Sequence, residues 1–422
     1  MKQAITLEIL KMKQLLMPFF NVGLKLKCRI KNEEQRFCAA FLKPILTVIF
    51  CLNNGYLFAQ PYTPLSLNEV ILERTYPIFS SGYESTGDRV KSNAEVILQA
   101  NKFVEYGLAK NDPRYLAYAQ GLLTPWWQQK EAPLEIRFLR ARIHQQSHKF
   151  DLAIEDLEGI LAMNPRNVQA LLLRANAYRV TGKLQASLND CKNLLWLADA
   201  LVTFNCIAQV KALTDDPVQV AHQLEQLYSS AINVPENLQQ EVYTTLAELY
   251  LQADQLTEAE VHYRQALNYQ PDSPFLINRY AQLLIQAQRW KAVLNLLPNS
   301  MNGNSALIQR AIASKALELP ETNNLIQTLK ARFSLNEQRG DIDISKDLAQ
   351  FYLKLLSDPQ KAVQYAYRNW QYQKEMSDTK LLIEAAQLAN NKAVLNEVNE
   401  WLTLIRNKST FITSTMKTGL SL

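Results

Sequence analysis

A spacing of 34 residues organises much of this chain, and it leaves little freedom in what the chain can fold into. The clearest unit covers residues 240–273. Tyr243, Leu246, Ala247 and Tyr250 share one face of a first helix, and Leu256, Ala259, Tyr263 and Ala266 share one face of a second. Pro271 then ends the unit. Large side chains on one helix fill grooves on the other, and small ones such as Ala247 and Ala259 let the two backbones approach. A second unit, 134–167, has Ala141, Phe150, Ala153, Leu157 and Pro165 in the matching places. A third follows without a gap from Val168, with Leu171, Ala175, Tyr178, Gly182, Leu184, Ser187 and Leu194. Pro274 opens a further pair, with Ile277, Tyr280, Ala281, Leu284 and Trp290, and Pro298 cuts its second helix short.

Segments 92–127 and 199–235 read as degenerate units of the same kind. Beyond them the spacing stays helical, near 305–317, 321–334, 343–357, 359–374, 378–389 and 391–406. No sustained two-residue alternation marks a strand. Asp112-Pro113, Asn164-Pro165, Asp216-Pro217 and Asp358-Pro359 read as helix starts, the polar side chain capping and Pro in the first turn. Thr257 and Glu260 have the spacing of a capping box. Only 11 of 422 residues are Gly, against a usual share of about 7%. A fold built on glycine-rich phosphate loops is therefore not expected.

These units resemble the tetratricopeptide-repeat family, most specifically over 134–198 and 240–297. The resemblance implies an all-α, right-handed superhelix of antiparallel helix pairs whose usual role is to bind protein segments. Residues 112–127 and 339–375 are also similar to segments of exported proteobacterial repeat proteins. The chain then divides into a leader at 1–59, an extended segment with a first helical pair at 60–133, the repeat array at 134–300, degenerate helical repeats at 301–406 and a tail at 407–422.

The leader carries the basicity. Residues 1–60 have a net charge of +6 while the whole chain has +5, so the rest is near neutral and nucleic acid is not an expected partner. Lys25, Lys27, Arg29, Lys31, Arg36 and Lys43 precede a short apolar run, Ile45 to Leu52, and Ala59 follows. The run is too short to span a membrane but suits the apolar core of a secretory signal. Cleavage after Ala59 and a periplasmic or secreted protein are expected. An uncleaved inner-membrane anchor and a cytoplasmic chain with a misread start stay open. Cys28, Cys38 and Cys51 would leave with the leader. Cys191 and Cys206 would remain on successive helices, either as a disulfide or as two small buried side chains.

No catalytic, cofactor-binding or metal-binding residue is expected. There is no P-loop, nucleophile elbow or HExxH. His144 and His148 stand four apart, but His148 falls at a turn and no third ligand is in sight, so a packed or solvated pair is expected. His222 and His262 are isolated. Arg339-Gly340-Asp341 reads as a turn before a helix. The six Trp read as core, with Trp126 and Trp127 as candidate contact residues because adjacent rings cannot easily share one face.

The functional surface implied by the resemblance is the concave face, lined by the first helix of each pair. Its exposed positions give candidate partner-binding residues Phe138, Arg142, Gln145, Gln169, Leu172, Asn176, Arg179, Thr244, Glu248, Asn278 and Gln282, with Glu241 and Phe275 in the same frame. Amide side chains can both donate to and accept from an extended backbone, so a protein or extended peptide is the expected ligand. Leu172 stands where a carboxylate-clamp repeat would have Lys, which argues against a reader of chain carboxyl ends. The expected function is a non-enzymatic interaction scaffold. A membrane-anchored assembly factor and a helical enzyme acting on cell-wall glycan are the alternatives, and a homo-oligomer is open.

Overall fold

The computed structural model describes residues 92–339 and 344–418, within a compact unit spanning 89–422. The leader, its cleavage point, its three cysteines and Gly340-Asp341 lie outside the described residues. Eighteen α-helices and no strand are present among the described residues. They form nine antiparallel pairs. The first is α1 (Asn93–Lys110) with α2 (Pro113–Leu122), followed by α3 (Leu134–Gln146) with α4 (Phe150–Met163) and α5 (Val168–Val180) with α6 (Leu184–Asn193). Next come α7 (Ala200–Lys211) with α8 (Pro217–Ser230), α9 (Glu236–Gln252) with α10 (Leu256–Tyr269), and α11 (Pro274–Gln286) with the short α12 (Trp290–Leu296). The last three are α13 (Asn304–Ala316) with α14 (Thr322–Arg339), α15 (Ser345–Gln350) with α16 (Pro359–Tyr372), and α17 (Met376–Leu388) with α18 (Lys392–Thr418). The fold is the all-α superhelix of helix pairs that the spacing implies. The α18 backbone continues past Arg406, where the sequence pattern placed a tail.

Small residues sit where the backbones meet. Ala141, Ala153, Ala247, Ala259, Ala266 and Ala281 are fully buried. Eight of the nine pairs turn through one residue in the left-handed region: Asn111, His148, Gly182, Asp254, Gln288, Glu318, Ser357 and Asn390. His148 and Gly182 are one repeat apart, as are Asp254 and Gln288. Only Gly182 adopts this conformation without a Cβ penalty.

A charge pair recurs on the same period. Arg140 donates to both carboxylate oxygens of buried Asp156, and Arg174 does the same to Asp190, one repeat later. Arg140 also donates to the carbonyls of Trp126, Trp127 and Gln129 at 2.6, 3.1 and 3.0 Å. A buried guanidinium is tolerated because these acceptors satisfy it. They fix the 3-10 turn Thr124–Trp126, which lets both Trp126 and Trp127 pack on the core of α1, α2 and α3. Neither ring is left as an exposed contact. Trp196, on the turn Leu194–Trp196, is 90% exposed instead of joining a core.

Two start signals act differently from their sequence reading. Asp112, Asp216 and Asp358 cap their helices as expected. Asn164 ends α4, and Asn167 caps α5. The Thr257–Glu260 box does not form, because α10 already begins at Leu256. Glu260 instead pairs with Arg264 and Arg289 and accepts from the Tyr280 hydroxyl.

The array curls until its last pair meets its third. The Lys374 N–H donates to the Val180 carbonyl at 2.7 Å, and Arg179 pairs with Glu375 at 3.0 Å across 196 residues of sequence. Arg279 lies 3.9 Å from the other Glu375 oxygen. Lys380 donates to the Gln252 carbonyl and lies 3.7 Å from Asp254. Apolar contact backs these bonds: Met376, Trp401, Leu402 and Ile405 pack with Ala175, Leu184, Leu188, Val210 and Leu213. A Cβ on Gly182 would come within 3.0 Å of Lys374 and 3.6 Å of Trp401. Gly182 thus serves both the turn and the closure.

Two measurements check this. Gly182→Ala is expected to lower stability by about 1–2 kcal/mol, because it places a Cβ in the left-handed region. Gln288→Gly is expected to raise it by up to about 1 kcal/mol for the converse reason, with denaturant midpoints as the readout. Burial works to raise the Glu375 carboxyl, but Arg179, Arg279 and Lys346 overcome it and hold the group below its ordinary range. A depressed carboxylate contributes stability that is present above its unfolded pKa of about 4.3 and is lost as pH falls through the lower folded value. Asp378 behind it is pushed up by burial against the pull of Lys346 and titrates in the opposite sense, so the wild-type profile alone is not diagnostic. The difference between wild type and Glu375→Gln is the diagnostic quantity. It is expected to hold at about 1.5–3 kcal/mol near neutral pH and to shrink on acidification below about pH 4.

Candidate functional site

Closure turns the concave face into a chamber. The cavity inside has a volume of about 750 Å³ and is lined by the first helices from α3 to α17, together with Gln373 and Glu375 of the turn before α17. A second cavity of about 550 Å³ lies towards α1 and α3. Asn176, Arg179, Gln209 and Glu241 line both, so the two meet at α5, α7 and α9. Eleven of the 35 residues lining the larger cavity are Asn or Gln, against nine that are Lys, Arg or Glu, so amides are its commonest polar groups.

The candidate residues divide between these spaces. Gln145, Thr244, Glu248 and Gln282 line the larger cavity. Phe138, Arg142, Gln169 and Leu172 line the smaller. Asn176 and Arg179 line both, and Asn278 lines neither. The Asn278 amide donates to the Pro274 carbonyl of its own helix, and its backbone carbonyl accepts from Gln309. The spacing places Asn278 on the first helix correctly, but contact with α13 covers that part of the face.

Several lining residues are already engaged. Arg179 is held by Glu375 and by the side-chain amide oxygen of Asn176, so these two residues belong to the closure. Arg142 pairs with Glu105 at 2.6 Å. Glu248 accepts from the buried Tyr263 hydroxyl at 2.6 Å and pairs with Arg279 at 3.1 Å. Lys346 pairs with Asp378, Lys354 with Glu384 and Lys380 with Asp254. Every Lys and Arg of the larger lining therefore has an anionic partner. Gln145 and Gln309 retain buried amide oxygens with no donor among the described residues. Phe275 is half-exposed into the cavity, with the Arg279 guanidinium 5.6 Å from its ring centre.

Sequence spacing missed what the C-terminal helices contribute. Lys346, Gln350, Glu375, Lys380 and Glu384 line the chamber as fully as the repeats do. Their first-helix positions were legible from the helical pattern of 343–389, but the degenerate repeats gave no frame for reading which faces turn inward.

The remaining candidates fall outside the chamber chemistry. His144 is buried against the Trp127 ring at 5.0 Å, and burial pushes its pKa down to about 4, so it packs as a neutral ring. His148 sits in the turn with φ 54° and meets Phe150 edge-on. His262 stacks on Tyr250 beside Glu225. No cluster of three His, Cys, Asp or Glu suited to a metal occurs among the described residues. Cys191 on α6 and Cys206 on α7 are joined as a disulfide with Cα atoms 5.6 Å apart, a separation that a bridge spans easily. No described helix is long and apolar enough to cross a membrane.

The tetratricopeptide-repeat family model matches residues 240–273. No curated protein sequence matches the chain. Among solved structures, a thermophilic tetratricopeptide-repeat protein of Thermus thermophilus is 21% identical, over 44% of this chain and 99% of its own, with a TM-score of 0.35. A tetratricopeptide-repeat protein of Parabacteroides merdae is 13% identical, over 69% and 98%, with a TM-score of 0.31. A Rap protein complexed with Competence and Sporulation Factor is 12% identical, over 76% and 89%, with a TM-score of 0.43. One unit of the chain, residues 240–273, therefore matches the tetratricopeptide-repeat model, and helix pairs continue on either side of it.

Proposed function

We propose that this protein is a non-enzymatic scaffold that holds a protein segment or extended peptide in its central chamber, and that it works in the cell envelope. One observation carries the binding reading: a concave, half-open cavity whose lining is rich in amides and whose Lys and Arg side chains are all paired. Such a lining offers donors and acceptors to a peptide backbone without demanding a charged ligand. Phe275, Leu251, Ile285 and Ile312 add apolar contact among the amides. A ligand pocket of this size, concave and mixed in character, is an ordinary setting for a small or extended ligand. The envelope location rests on the leader pattern, basic residues before a short apolar run ending near Ala59.

Crosslinking capture of partners from cell-envelope fractions tests the binding reading. Asn176→Ala and Arg179→Ala are poor probes, because they loosen the closure as well as the lining. The double variant Phe275→Ala, Gln282→Ala removes chamber side chains that take no part in an ion pair themselves. Its capture of partners is expected to fall several-fold, while Glu258→Ala on the exposed face of α10 leaves capture unchanged. Equal capture by all three proteins would reject the chamber as the binding surface. Amino-terminal sequencing of the mature protein checks the location: Gln60 at the start is expected, and an intact leader would instead mean an anchor.

A further inference from the structure

The Cys191–Cys206 disulfide stands where the array closes. Both cysteines belong to the apolar cluster that takes in Met376, Trp401, Leu402 and Ile405 of the returning pair. That pair lands on a platform made by three helices: Ala175 of α5, Leu184 and Leu188 of α6, and Val210 of α7. The platform is not held evenly. Arg174 of α5 pairs with Asp190 of α6, and the Ser187 hydroxyl of α6 donates to the Ala175 carbonyl at 2.7 Å. Directed bonds therefore tie α5 to α6. Between α6 and α7 no hydrogen bond or ion pair occurs among the described residues, and the sulfur bridge is the directed link. The polar bonds of the closure do not make up for it. They run from the last pair to Val180 and Arg179 of α5, to Gln252 of α9 and to Arg279 of α11.

We propose that the Cys191–Cys206 bridge is a redox control on closure: oxidised, it holds α6 and α7 together as the seat of α18, and reduced, it lets that seat part and the last pair leave. A bridge across 15 residues of sequence restricts how far the two helices can separate when the region opens locally. Without it, α6 and α7 are joined by apolar packing alone. Cys191 is fully buried, while Cys206 is half-buried and lines the smaller cavity, so an attacking thiolate meets Cys206 first. The reductant is a dithiol. Its thiolate bonds to the Cys206 sulfur, the S–S bond breaks, and the Cys191 sulfur leaves as a thiolate and takes a proton. The second thiolate of the reductant then displaces Cys206, which takes a proton in turn. Two cysteine thiols and the oxidised, disulfide form of the reductant result. The chamber is then bounded only where disulfides persist. This concerns the closure and stands whether or not the chamber holds a peptide.

Amide hydrogen exchange of the full chain, with and without dithiothreitol, tests it. The Lys374 N–H is bonded to the Val180 carbonyl, so it reports the closure itself, and residues 401–405 report the seating of α18. On reduction both are expected to exchange about tenfold faster or more, and to slow again on reoxidation. The buried residues Leu246, Ala247 and Tyr263 of α9 and α10 are the control and are expected to keep their rates. The double variant Cys191→Ala, Cys206→Ala is expected to behave as the reduced protein and to show no further change with dithiothreitol, which separates this bridge from the cysteines of the leader. Circular dichroism checks that helix content is kept in each state. Closure amides that exchange equally in oxidised protein, reduced protein and the double variant overturn the proposal. A rise of equal size in α9 and α10 also overturns it, because the bridge would then act on stability as a whole and not on closure.

Discussion

A helix hairpin cannot bury both of its faces by itself, and everything else in this molecule follows from that constraint. Each pair stacks on the next, so apolar area is removed from water only by adding neighbours. An array built this way always has ends with a face left over. Here the last pair meets that need inside the molecule by returning to the third. Trp401, Leu402 and Ile405 of α18 enter the apolar cluster of α5 to α7. The Arg179–Glu375 pair and the Lys374 to Val180 bond set the register of that return. The closure explains why Gly stands at residue 182, where other turns carry His, Asp or Gln. The carbon that any other residue would add meets the Lys374 side chain.

Curvature and closure together make the chamber. An open groove would present the first helices to solvent and accept any segment that lies along it. Here the return of the last pair narrows the groove to a half-open cavity of about 750 Å³ and turns the C-terminal helices into lining. It also changes what the charged residues do. Arg179, Arg279, Glu248 and Glu375 form a half-buried network of ion pairs, and its cost of desolvation is offset only while every partner stays in place. The amides and Phe275 are the lining side chains left without an ion-pair role.

Much of the fold was legible because helix periodicity and small residues at contact points act locally. The 34-residue frame placed Ala247, Ala259, Tyr263 and Ala281 in the core, and all four are buried. Helix starts beyond 300 were legible to within a few residues for the same reason, although α14 and α18 run past their expected ends. What the sequence did not reveal depends on partners distant in the chain. Asn176 and Arg179 look like free lining residues until residue 375 is brought beside them. Asn278 looks exposed until α13 covers it. The Arg140–Asp156 and Arg174–Asp190 pairs recur one repeat apart, so a charge period was present to be read alongside the apolar one. Thr257 and Glu260 had capping spacing, but Glu260 is drawn to Arg264, Arg289 and Tyr280, and helix contacts set the start at Leu256.

The central claim is that the array closes on itself to bound a chamber. Spin labels at Lys183, on the turn after α5, and Gln371, near the end of α16, report it directly, since both side chains are exposed and flank the closing contact. Pulsed dipolar spectroscopy of the full chain should give one narrow, short distance population. A broad distribution centred at long distance would mean an open superhelix and would contradict the account.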